Sequence, residues 1–152
     1  MILSTIEKVL FLKSVHLFDR IPSEQLVKVA QIAQEVEFEP DEVFIKQGES
    51  GDCLYVVVEG EAQVILEGVG VVSHIQSRSV IGEMAILSDE PRSASCIAVD
   101  HLLALRIESN DFWALMEERP EITWGIIKML VQKLNLANRQ LQSQQSSPTV
   151  EL

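Results

Sequence analysis

The 152-residue sequence predicts a mainly β protein with flanking α: an eight-stranded β jelly roll (double-stranded β-helix) with N-terminal helices and two C-terminal helices. Three observations carry that expectation. Short runs rich in β-branched residues follow one another between Val36 and Ile107, and turn residues bound each of them. Ahead of these runs the apolar residues recur at helical spacing. Behind them the helical spacing returns.

In chain order, Ile2, Ile6, Val9 and Leu10 form one apolar stripe, and Leu26, Val29, Ala30 and Ala33 repeat at i, i+3, i+4, i+7. Pro22 and Ser23 stand where a helix starts, because the first turn has no use for the amide that Pro lacks. The strand runs are Val36–Phe38, Val43–Ile45, Leu54–Val58, Ala62–Leu66, Val71–Ile75, Val80–Ile81, Ser95–Val99 and Leu102–Ile107. Glu39-Pro40-Asp41-Glu42, Gln47-Gly48-Glu49, Gly51-Asp52, Glu59-Gly60-Glu61 and Gly68 separate them. Asn110 or Ser109 can then cap a helix carrying Phe112, Leu115 and Met116, and Pro120 ends it and begins another. In that last helix Ile127, Leu130, Leu134, Ala137 and Leu141 follow the 3-4-3-4 spacing of a short coiled-coil seam. The expected organisation is one domain over 1–142, with N-terminal helices at 1–34, a β-roll at 35–108 and C-terminal helices at 110–142. A disordered Ser/Gln tail is expected at 143–152.

The net charge of −11 excludes several partners. Nucleic acid and anionic membrane surfaces attract basic patches, and this chain offers none. An anionic ligand gains no long-range steering either, so an anion site must be built from local groups. Cys53 and Cys96 lie in apolar β runs without CxxC spacing. Two buried thiols of a reduced, cytoplasmic protein are favoured, with a disulfide left open. Glu7, Lys8 and Lys13 interrupt the apolar N-terminus, which is therefore neither a signal peptide nor a membrane span.

The stretch Gly82–Ser95 carries the chemistry. Gly82 allows close approach of a ligand to the backbone. Glu83-Met84-Ala85-Ile86 can form a short helical turn whose first amides are unpaired. Arg92, the only basic residue between Arg78 and Arg106, offers a planar fork of donors suited to two phosphate oxygens. Ser93 adds a hydroxyl donor, Ala94 keeps the wall narrow, and Glu83 can accept from a sugar hydroxyl. Taken singly, Glu83 also reads as a helix-dipole carboxylate and Arg92 as a surface turn residue making weak ion pairs.

Together, Ile81-Gly82-Glu83-Met84-Ala85-Ile86 and Pro91-Arg92-Ser93-Ala94-Ser95 resemble the phosphate-binding cassette of the cyclic-nucleotide-binding domain family. That family includes protein kinase A regulatory subunits, cyclic-nucleotide-gated channels and the bacterial catabolite activator protein. Gln47–Tyr55 and Val57-Val58-Glu59-Gly60 resemble its glycine-turned hairpin, and Leu12–Phe18 with Ile21-Pro22 its helical lead-in. The resemblance implies that Arg92 binds the cyclic phosphate and Glu83 the ribose 2′-hydroxyl, with Gly82 keeping the backbone close. Backbone amides near Met84–Ala85 and at Ser93–Ala94 would complete the shell, and the last helix, around Leu130 to Leu136, would cover the base. Ser93 leans the ligand toward cyclic AMP over cyclic GMP. One departure is Gln76-Ser77-Arg78-Ser79, where many members have Gly-x-Gly-Asp.

No catalytic role is expected. His16, His74 and His101 are far apart with no HxH or HxxxH pair, and no Gly-x-Ser-x-Gly elbow exists. Asp100-His101 reads as a turn between strands, and Trp113 and Trp124 as core or interface residues. A DNA-binding regulator would need a basic helix-turn-helix after the last helix, where the sequence has Ser and Gln. The expectation is a cyclic-nucleotide sensor without cofactor or metal, relaying binding through its C-terminal helices and suited to homodimerise through the last of them. An isolated sensor and one part of a larger protein with its own effector domain both stay open. The rival reading is a ligand-free jelly roll used for assembly or protein contacts.

Overall fold

The computed structural model describes residues 2–144, apart from the side chains of residues 84–86. Eight strands build two four-stranded antiparallel sheets: β1 (Ala33–Phe38), β2 (Val43–Ile45), β3 (Cys53–Glu59), β4 (Ala62–Leu66), β5 (Gly70–Ile75), β6 (Val80–Ile81), β7 (Ser95–Ala98) and β8 (Leu102–Glu108). The sheet orders are β1-β8-β3-β6 and β2-β7-β4-β5, the interleaved pairing of a jelly roll. The strand runs therefore sit where the sequence puts them, with ends moved by a few residues. The largest shift is at β1, which begins at Ala33 and pairs from there with Ile107 of β8.

Strand alternation divides the core in two. Cys53, Tyr55 and Val57 of β3, with Leu102 and Ala104 of β8, point into the roll. Leu54 and Val56, with Leu105 and Ile107, point to a helical layer outside it. β3 is covered on both faces, which is why Cys53–Val57 reads as an unbroken apolar run.

The helical layer contains α1 (Thr5–Lys13), α2 (Ser23–Ile32), α4 (Ser109–Glu118) and α5 (Pro120–Gln144), while the short α3 (Glu83–Ser88) lies within the roll sequence. Ser4 and Glu7 form a reciprocal capping box on α1. The stripe expected there splits: Ile2, Ile6 and Leu10 are exposed, Val9 is partly buried against the core, and Leu12 is fully buried. The N-cap of α4 is Glu108, not Asn110 or Ser109, because β8 runs straight into the helix. α5 buries Ile122, Gly125, Ile126 and Met129. A Cβ at Gly125 would stand 2.6 Å from Ile21 Cγ1, so a glycine there lets α5 press on the α1–α2 connection.

Beyond Gln132 every described residue of α5 is exposed. The helix runs through Gln144, two residues into the expected tail, and 145–152 lie outside the described residues. Trp113 and Trp124 are not core residues, at 39% and 61% exposure. No helix of the described residues is long and apolar enough to cross a membrane. Cys53 and Cys96 are unpaired and buried.

Candidate ligand site

Gly82 ends β6 and caps α3 with φ 91° and ψ 9°, a left-handed conformation that side chains rarely adopt. A Cβ there would lie 2.1 Å from Arg92 Nη1, 3.2 Å from its Cζ and 3.3 Å from the Cys53 carbonyl oxygen. The glycine therefore makes room for a protein side chain. Sequence reasoning assigned that space to a ligand.

Arg92 is held from both sides. Its backbone exchanges two hydrogen bonds with the Gly48–Glu49 turn, Gly48 N donating to Arg92 O and Arg92 N to Glu49 O, each at 2.8 Å. Ser95 Oγ accepts from Gln47 N at 2.9 Å, fastening the same turn. The guanidinium reaches across the roll, with Nη2 donating to the Cys53 carbonyl at 2.5 Å and Nη1 to the Gly82 carbonyl at 3.4 Å. Arg92 is 7% exposed, the only charged side chain buried among the described residues. None of their ion pairs includes it. Carbonyl dipoles solvate part of this charge, and no carboxylate of the described residues neutralises it, an arrangement chemically suited to an anion.

The guanidinium stands at the wall of a cavity of about 260 Å³. Gly82, Glu83, Arg92, Ser93 and Ala94 line it together with the apolar Ile45, Val64, Ile75, Val80 and Ile81. Cys96 also faces it, its thiol pushed up to about 11 by burial although the charge of Arg92 pulls the other way. Glu83 is the first residue of α3, largely enclosed, and its Oε1 accepts from Lys133 Nζ of α5 at 3.2 Å.

Thus five of the seven residues singled out from the sequence meet at one cavity. The backbone of Met84 and Ala85 forms the expected turn in α3, and their side chains lie outside the described residues. None of Leu130 to Leu136 lines the Arg92 cavity. From that stretch it is Lys133 that reaches the site. Asp100 and His101 lie apart from it: Asp100 Oδ1 accepts from Glu61 N, and His101 sits between Glu37 and Glu39. Sequence reasoning missed the Cys53 carbonyl and Lys133. A backbone acceptor leaves no mark in residue type, and Lys133 is 50 residues from Glu83. The apolar wall was legible in principle from the alternation of β4 and β5.

The sequence model of the cyclic nucleotide-binding domain family matches residues 35–119, more than half of the chain. The cAMP-dependent protein kinase regulatory subunit of Dictyostelium discoideum is 29% identical over 147 residues, covering 92% of this chain and 43% of that protein. The chain thus spans less than half the length of this curated relative. Among solved structures, the regulatory domain of Toxoplasma gondii protein kinase A, crystallised with cAMP, superposes with a TM-score of 0.72 at 29% identity. It covers 86% of this chain and 49% of that one. The regulatory subunit of a cAMP-independent protein kinase A from Trypanosoma brucei gives a TM-score of 0.70 at 20% identity, covering 85% and 48%.

Proposed function

The chain belongs to the cyclic nucleotide-binding domain family, and from that premise we propose that it is a non-catalytic sensor of a cyclic mononucleotide, cyclic AMP before cyclic GMP. The observation that carries this reading is Arg92, a buried cation without a carboxylate partner among the described residues, facing a cavity it shares with Glu83. One neighbour of the same fold is described as cAMP-independent, so fold alone does not argue for the ligand; the residues of the site do.

In this reading the guanidinium takes two phosphate oxygens, with Ser93 and the amides at Ser93–Ala94 and near Met84–Ala85 beside it. Glu83 accepts from the ribose 2′-hydroxyl. The cavity, about 260 Å³, lies just below the ~300–1,000 Å³ usual for small-molecule sites. That size suits a sugar-phosphate held inside while the base rests on Val64, Ile75 and Val80 toward the mouth. Occupancy changes the contacts around α3, and α5 carries the change outward to an effector domain or partner chain. Two free thiols suit a cytoplasmic setting.

A specific observation also favours assembly. Trp124, Ile127, Val131, Leu134 and Leu141 are all exposed on α5, and with Asn138 they complete a heptad seam over three repeats. This register replaces the one read from the sequence, since Leu130 is partly buried against the body. β-branched Val131 and polar Asn138 at one seam position, with Leu134 and Leu141 at the other, suit a parallel two-stranded coiled coil. A bare helical extension of this length is marginal in water, so the occupant proposed is a second copy of the chain. Sensor and dimer are compatible. A ligand-free assembly module is the alternative.

Calorimetric titration with cyclic AMP and cyclic GMP, on the wild type and on Arg92→Ala, tests the reading. Removing Arg92 is expected to weaken binding by about 2–5 kcal/mol. A wild type that binds neither nucleotide at millimolar concentration would leave only the assembly reading. A folded Arg92→Ala protein with unchanged affinity would overturn the site.

A further inference from the structure

α5 sends a charged side chain to the cassette. Lys133 Nζ stands 3.2 Å from Glu83 Oε1, joining the exposed half of α5 to the first residue of α3. Lys133 is 55% exposed and Glu83 only 18%, so the carboxylate is the enclosed member of the pair. Glu83 also lines two cavities at once. One holds Arg92; the other, about 340 Å³, lies under α5 between His16, Arg78, Met129 and Lys133. Glu83 is thus shared by the two cavities, and Lys133 of α5, which lines the second, meets its carboxylate.

A carboxylate has two oxygens and about four acceptor positions. A lysine on Oε1 leaves Oε2 free to accept a further hydrogen bond. A Glu side chain left alone samples several rotamers, and fixing it on ligand binding costs entropy. An ion pair already in place removes part of that cost.

On the reading that Glu83 binds the ribose, we propose that Lys133 is the positioning residue for ribose recognition. It fixes the Glu83 carboxylate so that the oxygen it leaves free meets the 2′-hydroxyl. The same contact makes the seating of α5 part of ribose recognition: a helix lifted from the cassette takes Lys133 with it and leaves Glu83 unbraced. Selectivity for a ribo- over a deoxyribonucleotide then depends on a residue that never touches the ligand.

The test removes the hydroxyl and the ammonium in turn. Wild type, Lys133→Met, Lys133→Arg and Arg92→Ala are titrated with whichever of cyclic AMP and cyclic GMP binds the wild type, and with its 2′-deoxy analogue. Lys133→Met is expected to weaken the ribonucleotide about three- to tenfold and to leave the 2′-deoxy analogue within about twofold. Lys133→Arg, which keeps the charge, is expected to restore most of the loss. Equal losses for both nucleotides would mean that Lys133 acts as a general charge or a structural prop, and would overturn the proposal. So would no loss for either. In both cases a wild type that binds and an Arg92→Ala protein that does not leave the sensor reading standing, whereas a wild type that binds neither nucleotide overturns the two together.

Discussion

Gly82→Ala perturbs the site without replacing Arg92 or Glu83, and its cost separates into two parts. The first is backbone strain. An alanine held at φ 91° costs about 1–2 kcal/mol. The second is steric. The new methyl group would lie 2.1 Å from Arg92 Nη1, and the Cys53 carbonyl at 3.3 Å closes the other side, so the guanidinium must move by more than an ångström. That movement breaks the 2.5 Å bond from Nη2 to the Cys53 carbonyl, a charged hydrogen bond of about 1.5–3 kcal/mol. The total destabilisation is about 2.5–5 kcal/mol, read by urea denaturation. Ligand affinity is expected to fall nearly as far as in Arg92→Ala, because the proposed phosphate partner would be displaced. The decisive measurement is the double variant. In an Arg92→Ala background the clash is gone, so Gly82→Ala is expected to cost only its strain of about 1–2 kcal/mol and to remove no further affinity. A full and equal cost in both backgrounds would refute the claim that this glycine makes room for the arginine.

Two other expectations concern α5 and Cys96. Leu134→Glu places a charge in the exposed seam and is expected to shift a dimer to monomer in sedimentation analysis; a wild type that is monomeric at high micromolar concentration would dismiss the seam. Burial pushes the Cys96 thiol up from its ordinary value near 9 to about 11 in the fold. The folded state thus holds the proton more tightly. That contribution, about 2–3 kcal/mol, is complete below pH 9 and lost as pH rises through about 11. Denaturation midpoints followed from about pH 8 to 11 are expected to fall more steeply in the wild type than in Cys96→Ala, and parallel curves would contradict the burial argument.

The strands were legible because each is a short run rich in β-branched residues bounded by turn residues, and β3, covered on both faces, runs apolar without a break. The helices misled for a physical reason. Periodicity identifies an apolar face, but not what covers it. On α1 the stripe through Ile2, Ile6 and Leu10 is sound as a pattern and still faces outward. On α5 two stripes are interleaved, one through Ile122, Ile126 and Met129 that packs inward, and one through Trp124, Ile127 and Val131 that does not. Sequence merges them, because Leu130 satisfies either. Gly82 and Arg92 were legible by residue type, while their mutual contact, the Cys53 carbonyl and Lys133 depend on closure of the roll.

The acidic background bears directly on how such a site works. At long range a net charge of −11 repels an anion, and beyond a Debye length of about 8–10 Å salt screens that repulsion. At contact the balance reverses, because the buried guanidinium acts in a weakly screened setting where its described partners are the Gly82 and Cys53 carbonyl oxygens and the Cys53 sulfur, all uncharged. The fold thus contains a charge that water does not solvate fully and that no carboxylate of the described residues balances. If the proposed reading holds, an anion of the right shape relieves that cost, and binding and stability are linked through one side chain. In the proposed reading Glu83 acts as the filter: a carboxylate close to the anion site disfavours ligands that bring only charge, and favours one that also presents a hydroxyl to donate.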